Sequence, residues 1–402
     1  MMQQTYCVMP WVGLEINNDG GMKPCCVYAE SLLDSDGKKF NINTHTIDEY
    51  LESDAIRVLK DDLLNNKELS GCNKCYREEN VNVQSLRLRK NNRFEEFTKI
   101  EKNLEENNLL TVDLKLSNLC NQKCMICNAN ASSMVVAENN VILPDLNLNY
   151  VSNKYHWYKN EDMWDQLMKK TLNSKHFDFY GGEPWLIKQQ WKFLEYLISS
   201  GRSSEITLNY ATNGSLHEDF YFTEYFSKFK HVSILYSADG IEDTFEYVRY
   251  PGVWETYKEN IIKAKEFQKS NILDCWIAVA YTVSVYSIHN VIPSLNFYKD
   301  HNIPVWFNLV NEDEFSPSIL PAPLRKKILD NIKENWSDDF LLVDSDINAD
   351  YFEKEVTKDI SDSWKHEWAR RTNKRDQHRN IRFTDILDDN DLKEFMNARA
   401  QK

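Results

Sequence analysis

The chain has 402 residues and a formal net charge of −14, with 42% hydrophobic, 12% aromatic and 27% charged residues. This composition predicts a folded globular protein of roughly two to three domains and excludes a disordered chain. The acidic balance also disfavours nucleic-acid binding, which requires a basic face.

Targeting signals are not evident from the sequence. The apolar stretch 275–286 is interrupted by Thr282 and Ser284 and is too short to span a bilayer. No basic residue precedes Lys23, so the N-terminus lacks the charged start of a signal peptide. We therefore predict a cytoplasmic protein without membrane contact. In that compartment its nine cysteines favour metal ligation over disulfides.

The first 110 residues contain three predicted elements. The stretch 7–28 indicates a hairpin, with "WVGLEI" as one strand, a turn at 17–21 and "MKPCCV" as the returning strand. Residues 46–66 predict an amphipathic helix with Thr46 as its N-cap. The stretch 70–79 contains a CxxC pair in a predicted tight turn.

Alternating strands and helices follow, which predict an α/β fold with a parallel sheet and right-handed crossovers. The predicted helices lie at 163–173, 191–200 and 257–269. The predicted strands lie at 111–117, 177–180, 206–210, 231–237, 275–284 and 303–310.

Three cysteines, Cys120, Cys124 and Cys127, form a CxxxCxxC loop directly after the first of these strands. One interpretation is that they are neighbouring buried apolar residues. Zinc sites more often combine two CxxC or His pairs, and no second pair lies nearby. Three thiolates suit a four-iron, four-sulfur cluster with one iron left open for a small molecule.

This loop resembles the cluster motif of radical S-adenosylmethionine (SAM) enzymes. Three further stretches resemble later motifs of that family in the same order: GGEP after "FDFY", TNG at 212–214 and S-x-D-G at 237–240. All of them directly follow predicted strands. The resemblance implies a partial (β/α)₆ barrel with the site at the carboxyl ends of its strands.

The same resemblance implies roles for individual residues. Cys120, Cys124 and Cys127 would hold a cluster whose open iron binds SAM, and reductive cleavage would give a 5′-deoxyadenosyl radical. The residues implied to lie at SAM are Gly181, Gly182, Glu183, Asn213, Ser237 and Arg249. Alternative interpretations are a plain turn for the glycines, a strand-end turn for Ser237 and a solvated helix charge for Arg249.

Four cysteines of the first 75 residues resemble the auxiliary-cluster modules known as twitch and SPASM domains. Cys7 and Cys25 flank Gly20 at the spacing of such modules, and Cys72 and Cys75 supply a second pair. The resemblance implies a second four-iron cluster, and a four-cysteine zinc ribbon is the alternative. Cys26 is interpreted as a core residue, an alternative ligand or a thiol hydrogen donor, and Cys275 as a core residue.

These interpretations divide the chain into a twitch-type domain at 1–110, a radical SAM core at 111–315 and a helical segment of unknown role at 316–402. The basic stretch 365–383 predicts a solvated helix face or a clamp for an anionic substrate group.

The resulting functional hypothesis is a radical SAM enzyme acting on a peptide or protein, with the auxiliary cluster as an electron relay and a flavodoxin or ferredoxin as the electron donor. The alternatives are a carbohydrate or nucleotide-linked sugar as the substrate, and a non-catalytic iron–sulfur or zinc-binding protein.

Overall fold

The computed structural model describes residues 5–80, 84–98, 107–144, 152–270, 272–310, 312–344 and 347–400. The strands in chain order are β1 (Gly13–Ile16), β2 (Met22–Lys23), β3 (Thr111–Lys115), β4 (His176–Tyr180), β5 (Thr207–Thr212), β6 (His231–Ser237), β7 (Cys275–Val283) and β8 (Val305–Leu309). They are ordered β2-β1-β3-β4-β5-β6-β7-β8 in one sheet. The predicted α/β fold with six successive strands, here β3 to β8, is confirmed.

The described residues form seventeen α-helices. They are α1 (Met9–Val12), α2 (Ile47–Leu51), α3 (Asp54–Leu64), α4 (Asn73–Asn80), α5 (Leu86–Arg93), α6 (Glu95–Thr98), α7 (Ser133–Ile142), α8 (Glu161–Lys170), α9 (Gln189–Ser199), α10 (Glu242–Val248), α11 (Trp254–Lys269), α12 (Val291–Asp300), α13 (Ala322–Asn335), α14 (Ala349–Val356), α15 (Asp362–Arg379), α16 (Phe383–Ile386) and α17 (Asn390–Ala400). None of the described helices has both the length and the apolar character needed to cross a membrane.

The chain divides into two compact units, each built from several segments. Unit 1 comprises residues 1–119, 151–210 and 220–232, and unit 2 comprises 120–150, 211–219 and 233–402. This division differs from the predicted ranges 1–110, 111–315 and 316–402, which stay predictions about functional modules.

In unit 1 the predicted hairpin forms, because β1 pairs with β2 in antiparallel fashion. On its other side β1 pairs in parallel with β3, a contact that the sequence analysis did not predict. The β3–β4 and β4–β5 pairs are also parallel. The hairpin therefore extends the sheet that carries the later motifs.

Two predictions for the first 110 residues need correction. The single helix predicted at 46–66 is two helices, α2 and α3. The second begins after Ser53, whose side chain is its N-cap. The predicted N-cap is confirmed, since Thr46 and Glu49 form a reciprocal capping box at α2. The CxxC pair lies in a 3₁₀ turn (Ser70–Cys72) followed directly by α4 rather than in an isolated turn.

In unit 2, α15 is fixed by an aromatic cluster. Trp368 packs against Tyr286, and Phe383 packs against both Tyr247 and Tyr286, with ring centroids 5.3–5.9 Å apart. The Asp376 carboxylate accepts a 2.8 Å hydrogen bond from the Tyr247 hydroxyl. The helical character predicted for the C-terminal segment is confirmed. Cys275 is buried in β7, as its interpretation as a core residue required.

Candidate functional site

Cys120, Cys124 and Cys127 lie at the start of unit 2 in the loop between β3 and α7, and all three are half-buried. Burial, together with the neighbouring Cys120, raises the pKa of the Cys127 thiol to about 11. Burial likewise raises the pKa of Cys124, and the Arg249 guanidinium opposes that increase. The three thiols therefore lie in one loop, in surroundings that disfavour the charged thiolate. A nearby positive charge would compensate for this, and the irons of a cluster provide such a charge.

Two hydrogen-bond donors approach the Cys120 sulfur of this loop. The Gln122 backbone N–H donates to Cys120 Sγ at 3.4 Å. Asn213 Nδ2 lies 3.8 Å from the same sulfur and donates to Asn121 Oδ1 at 2.8 Å. Hydrogen bonds to cysteine sulfurs are one way in which proteins hold and tune iron–sulfur clusters. These residues therefore fit a cluster, and Asn213 contacts the cysteine loop directly.

Buried arginines of α15 hold the backbone of the loop. Arg375 donates to the Met125 carbonyl at 3.1 Å, and Arg379 donates to the Lys123 carbonyl at 2.6 Å. Arg379 also binds the Glu138 carboxylate of α7 through two hydrogen bonds of 2.8 and 2.6 Å.

These contacts correct the interpretation of the basic stretch 365–383 as a solvated helix face or an anion clamp. Two of its arginines are buried and bind the backbone of the cysteine loop. Burial alone would raise the pKa of Glu138, but hydrogen bonds from Arg379 and Lys123 hold that pKa below its usual value. The cluster of basic residues at 365–383 was visible in the sequence. Its partners lie about 250 positions away along the chain, so the sequence did not identify them.

The S-x-D-G stretch places Ser237 at the half-buried end of β6 and Asp239 in the buried interior of unit 2. Arg249 Nη2 lies 2.8 Å from Asp239 Oδ2, and both side chains are buried. Within the described residues, Arg249 Nε has no hydrogen-bond partner. A buried donor of this kind, beside Cys124, fits an anionic group. Asp239, which holds the arginine, was missed by the sequence analysis.

The GGEP turn belongs to unit 1 and packs against the chain that leads into the cysteine loop. The Gly182 and Glu183 N–H groups donate to the carbonyls of Ser117 and Leu119 at 2.7 and 2.8 Å. A Cβ on Gly182 would lie 2.1 Å from the Leu119 oxygen, so no larger residue fits there. Gly181 adopts a φ of +119°, which favours glycine. The buried Glu183 side chain accepts the Trp185 N–H at 3.1 Å. Its predicted contact with SAM stays a prediction.

The other four predicted ligands lie in the apolar core of unit 1. Cys7 and Cys75 are buried, and Cys25 and Cys72 are half-buried. Burial raises the pKa of Cys7 to about 12 and that of Cys72 to about 11, and the thiols raise one another's values. Cys7, Cys25 and Cys72 pack with buried residues of one cluster that includes Tyr6, Val8, Trp11, Val12, Tyr28, Leu59 and Leu63.

Among the described residues, no group of three or more His, Cys, Asp or Glu side chains has the arrangement of a single-ion site. A four-iron cluster is larger than one ion and spreads its ligands around a wider body. Cys26, the predicted hydrogen donor, is exposed and lies next to Cys25; its role stays a prediction.

Comparison with known families identifies part of the chain. Residues 7–76 match the SPASM family, described as an iron–sulfur cluster-binding domain. The match spans Cys7, Cys25, Cys72 and Cys75. The chain therefore contains an iron–sulfur cluster-binding domain of the SPASM type, and the predicted auxiliary-cluster domain is confirmed. No curated protein sequence matches the chain.

Several solved structures are similar to parts of the molecule. Native anSMEcpe with bound AdoMet is 19% identical over 57% of this chain and 61% of that chain, with a TM-score of 0.40. Streptococcus suis SuiB bound to precursor peptide SuiA is 16% identical over 66% and 60%, with a TM-score of 0.32. The chain thus spans about three fifths of the length of these structures. With TM-scores below 0.5, the site assignment rests on this chain's own residues and on the domain match.

Proposed function

We propose that the protein is a radical SAM enzyme in which Cys120, Cys124 and Cys127 hold the SAM-cleaving cluster. The observation that carries this proposal is the arrangement in unit 2. Three thiols lie in one loop, and Cys120 Sγ receives donors from Gln122 and Asn213. Beside the loop lies a buried arginine with a free N–H. A simple electron carrier has no need of that free buried donor.

Each residue has a distinct part in the proposal. The thiolates bind three irons and leave one open, and Arg249 Nε offers a donor to an anionic group such as the SAM carboxylate. The Arg375 and Arg379 contacts fix the loop backbone, so that the ligands are preorganised. When bound, the cluster and SAM supply one-electron chemistry that removes a hydrogen atom from a substrate.

We further propose that the substrate is a peptide or protein and that Cys7, Cys25, Cys72 and Cys75 ligate a second four-iron cluster. The support is the SPASM match at 7–76, because auxiliary domains of this kind accompany enzymes that modify peptides and proteins. With all four cysteines bound, this cluster has no open iron and suits electron relay.

The decisive experiment replaces Cys120, Cys124 and Cys127 by Ala and measures iron, sulfide and 5′-deoxyadenosine after anaerobic reconstitution. We expect about half of the iron to be lost, with about four irons retained per chain, and no 5′-deoxyadenosine. Cys275→Ala, which removes a core thiol, should match the wild type. Cleavage of SAM by the triple variant would refute the assignment, and one retained zinc without iron would refute the second cluster.

A further inference from the structure

A row of polar side chains crosses the sheet of unit 1. Glu15 on β1 is the register partner of Asp113 on β3, which pairs with Asp178 on β4, which in turn pairs with Asn209 on β5. Register partners of a parallel sheet project from the same face. Strands of such sheets are normally apolar along their whole length, so this row requires an explanation.

Most members of the row have partners within unit 1. Glu15 forms a 2.5 Å ion pair with Lys115, and Asn209 Nδ2 donates to Asp178 Oδ1 at 2.6 Å. Two carboxyl oxygens of the row have no hydrogen-bond partner among the described residues, Glu15 Oε2 and one oxygen of Asp113. Of these two residues, Asp113 lines a cavity. Its exposure is only 9%, yet its Oδ1 has no hydrogen-bond partner among the described residues. A ligand bearing a hydrogen-bond donor would satisfy this buried acceptor.

Asp113 and Asp178 form part of the wall of a cavity of about 280 Å³ in unit 1. The opposite charge lies on α5, whose Arg89, Lys90 and Arg93 line the same cavity. Within the described ranges, none of these three cations forms an ion pair. The cavity therefore offers carboxyl groups on the strands and, on the helix, cations that have no carboxylate partner within the described residues. Cys25, a proposed cluster ligand, and Cys26 also contribute to its wall.

We propose that this cavity binds the C-terminal residue of a peptide, with its carboxylate on the α5 cations and an N–H or ammonium donor on Asp113. Arginine and lysine pair strongly with carboxylates. The cavity is slightly smaller than the roughly 300–1,000 Å³ of pockets for drug-sized ligands, so it suits one residue rather than a long segment. This assignment rests on the proposed function, because it identifies the part of a peptide substrate that the enzyme holds.

The test uses cluster-loaded protein under anaerobic conditions and titration calorimetry with small probes. N-acetyl-L-lysine carries the carboxylate and the donor, and N-acetyl-L-lysinamide lacks the carboxylate. Glucosamine 6-phosphate presents the competing combination of a phosphate and a sugar. We expect the acid to bind about tenfold more tightly than the amide, the loss expected for one charge-assisted contact.

Three variants connect the binding to the named residues. The double variant Arg89→Gln, Arg93→Gln should abolish the preference for the acid. Asp113→Asn should weaken binding of the acid about tenfold while leaving the preference for acid over amide. Arg57→Gln, which changes an exposed arginine of α3, is the matched control and should bind like the wild type.

Equal affinity for acid and amide, or no binding of either probe, would overturn the assignment. Tighter binding of glucosamine 6-phosphate would overturn the peptide terminus and favour a sugar-linked phosphate. The same preparations are assayed for 5′-deoxyadenosine. Absence of SAM cleavage in the wild type refutes the proposed function, whereas normal cleavage without probe binding refutes only the cavity assignment.

Discussion

The two groups of cysteines are held by different physical means. Three thiols of unit 1, those of Cys7, Cys25 and Cys72, pack in an apolar cluster with Tyr6, Val8 and Trp11, and Cys75 is buried. The three thiols of unit 2 lie in a loop whose backbone is held by buried arginines and in which Cys120 Sγ receives polar donors. An apolar surrounding closes a site, whereas polar donors and a free arginine N–H leave room for a charged ligand. This contrast matches a relay cluster in one unit and a reactive cluster in the other.

The largest expected effect on iron content comes from removing Arg379, which binds both the loop backbone and Glu138 in unit 2. Arg379→Ala removes the two hydrogen bonds to the buried Glu138 and leaves it with Lys123 at 3.0 Å and Arg375 at 3.9 Å as cationic partners. Removing one partner of a buried ion pair typically costs about 3–5 kcal/mol. We expect the iron content to fall toward four per chain, about half of a two-cluster protein, with loss of 5′-deoxyadenosine formation and retention of the unit 1 cluster absorbance.

Arg371→Ala is the matched control on the same helix, because Arg371 pairs with the half-buried Glu367 and Glu314. Its loss should cost about 1 kcal/mol or less and leave the iron content unchanged. Arg379→Lys should restore part of the iron. If Arg379→Ala keeps full iron and activity, α15 does not support the loop.

The next largest effect is a loss of iron from the unit 1 cysteines alone. Cys72→Ala combined with Cys75→Ala should remove about four irons while 5′-deoxyadenosine formation continues, because SAM cleavage needs only the unit 2 thiols. Iron and 5′-deoxyadenosine are measured together, with Cys275→Ala as the buried-thiol control. Equal loss of iron from both clusters would contradict independent sites.

Features set by local sequence patterns could be predicted, whereas contacts between distant parts of the chain could not. Local spacing identified the CxxxCxxC loop, GGEP and Asn213, and alternation of strands and helices predicted β3 to β8. The arginine braces were missed because Arg379 and Lys123 are 256 positions apart, and no local pattern reports such a contact. The parallel β1–β3 pairing was missed for the same reason. The Ser53 cap was missed because the amphipathic pattern continues through the helix break.

A smaller effect is expected at Gly182, where the backbone of the GGEP turn contacts the chain before Cys120. Gly182→Ala would place a Cβ 2.1 Å from the Leu119 oxygen and force backbone movement, which typically costs about 1–3 kcal/mol. We expect the rate of SAM cleavage to fall at least about tenfold, the equivalent of 1.4 kcal/mol. Gly21→Ala is the control, because its nearest atom is a side-chain oxygen at 3.3 Å. An unchanged rate would show that the close approach is dispensable.

The last prediction concerns the pH dependence of stability at Asp113, which involves neither group of cysteines directly. Burial, together with Asp178 and Glu15, raises the pKa of Asp113 to about 8, and Lys115 opposes that increase. Folded protein then keeps a proton that unfolded protein releases near pH 4, so stability falls as the pH rises toward 8. Asp113→Asn removes this dependence. Between pH 6 and pH 9 the variant should gain roughly 2 kcal/mol over the wild type, measured as the shift in the denaturant midpoint of cluster-loaded protein. Asp36→Asn, at an exposed aspartate, is the control and should show no such gain. If the stability difference between Asp113→Asn and the wild type does not change with pH, Asp113 does not titrate in this range.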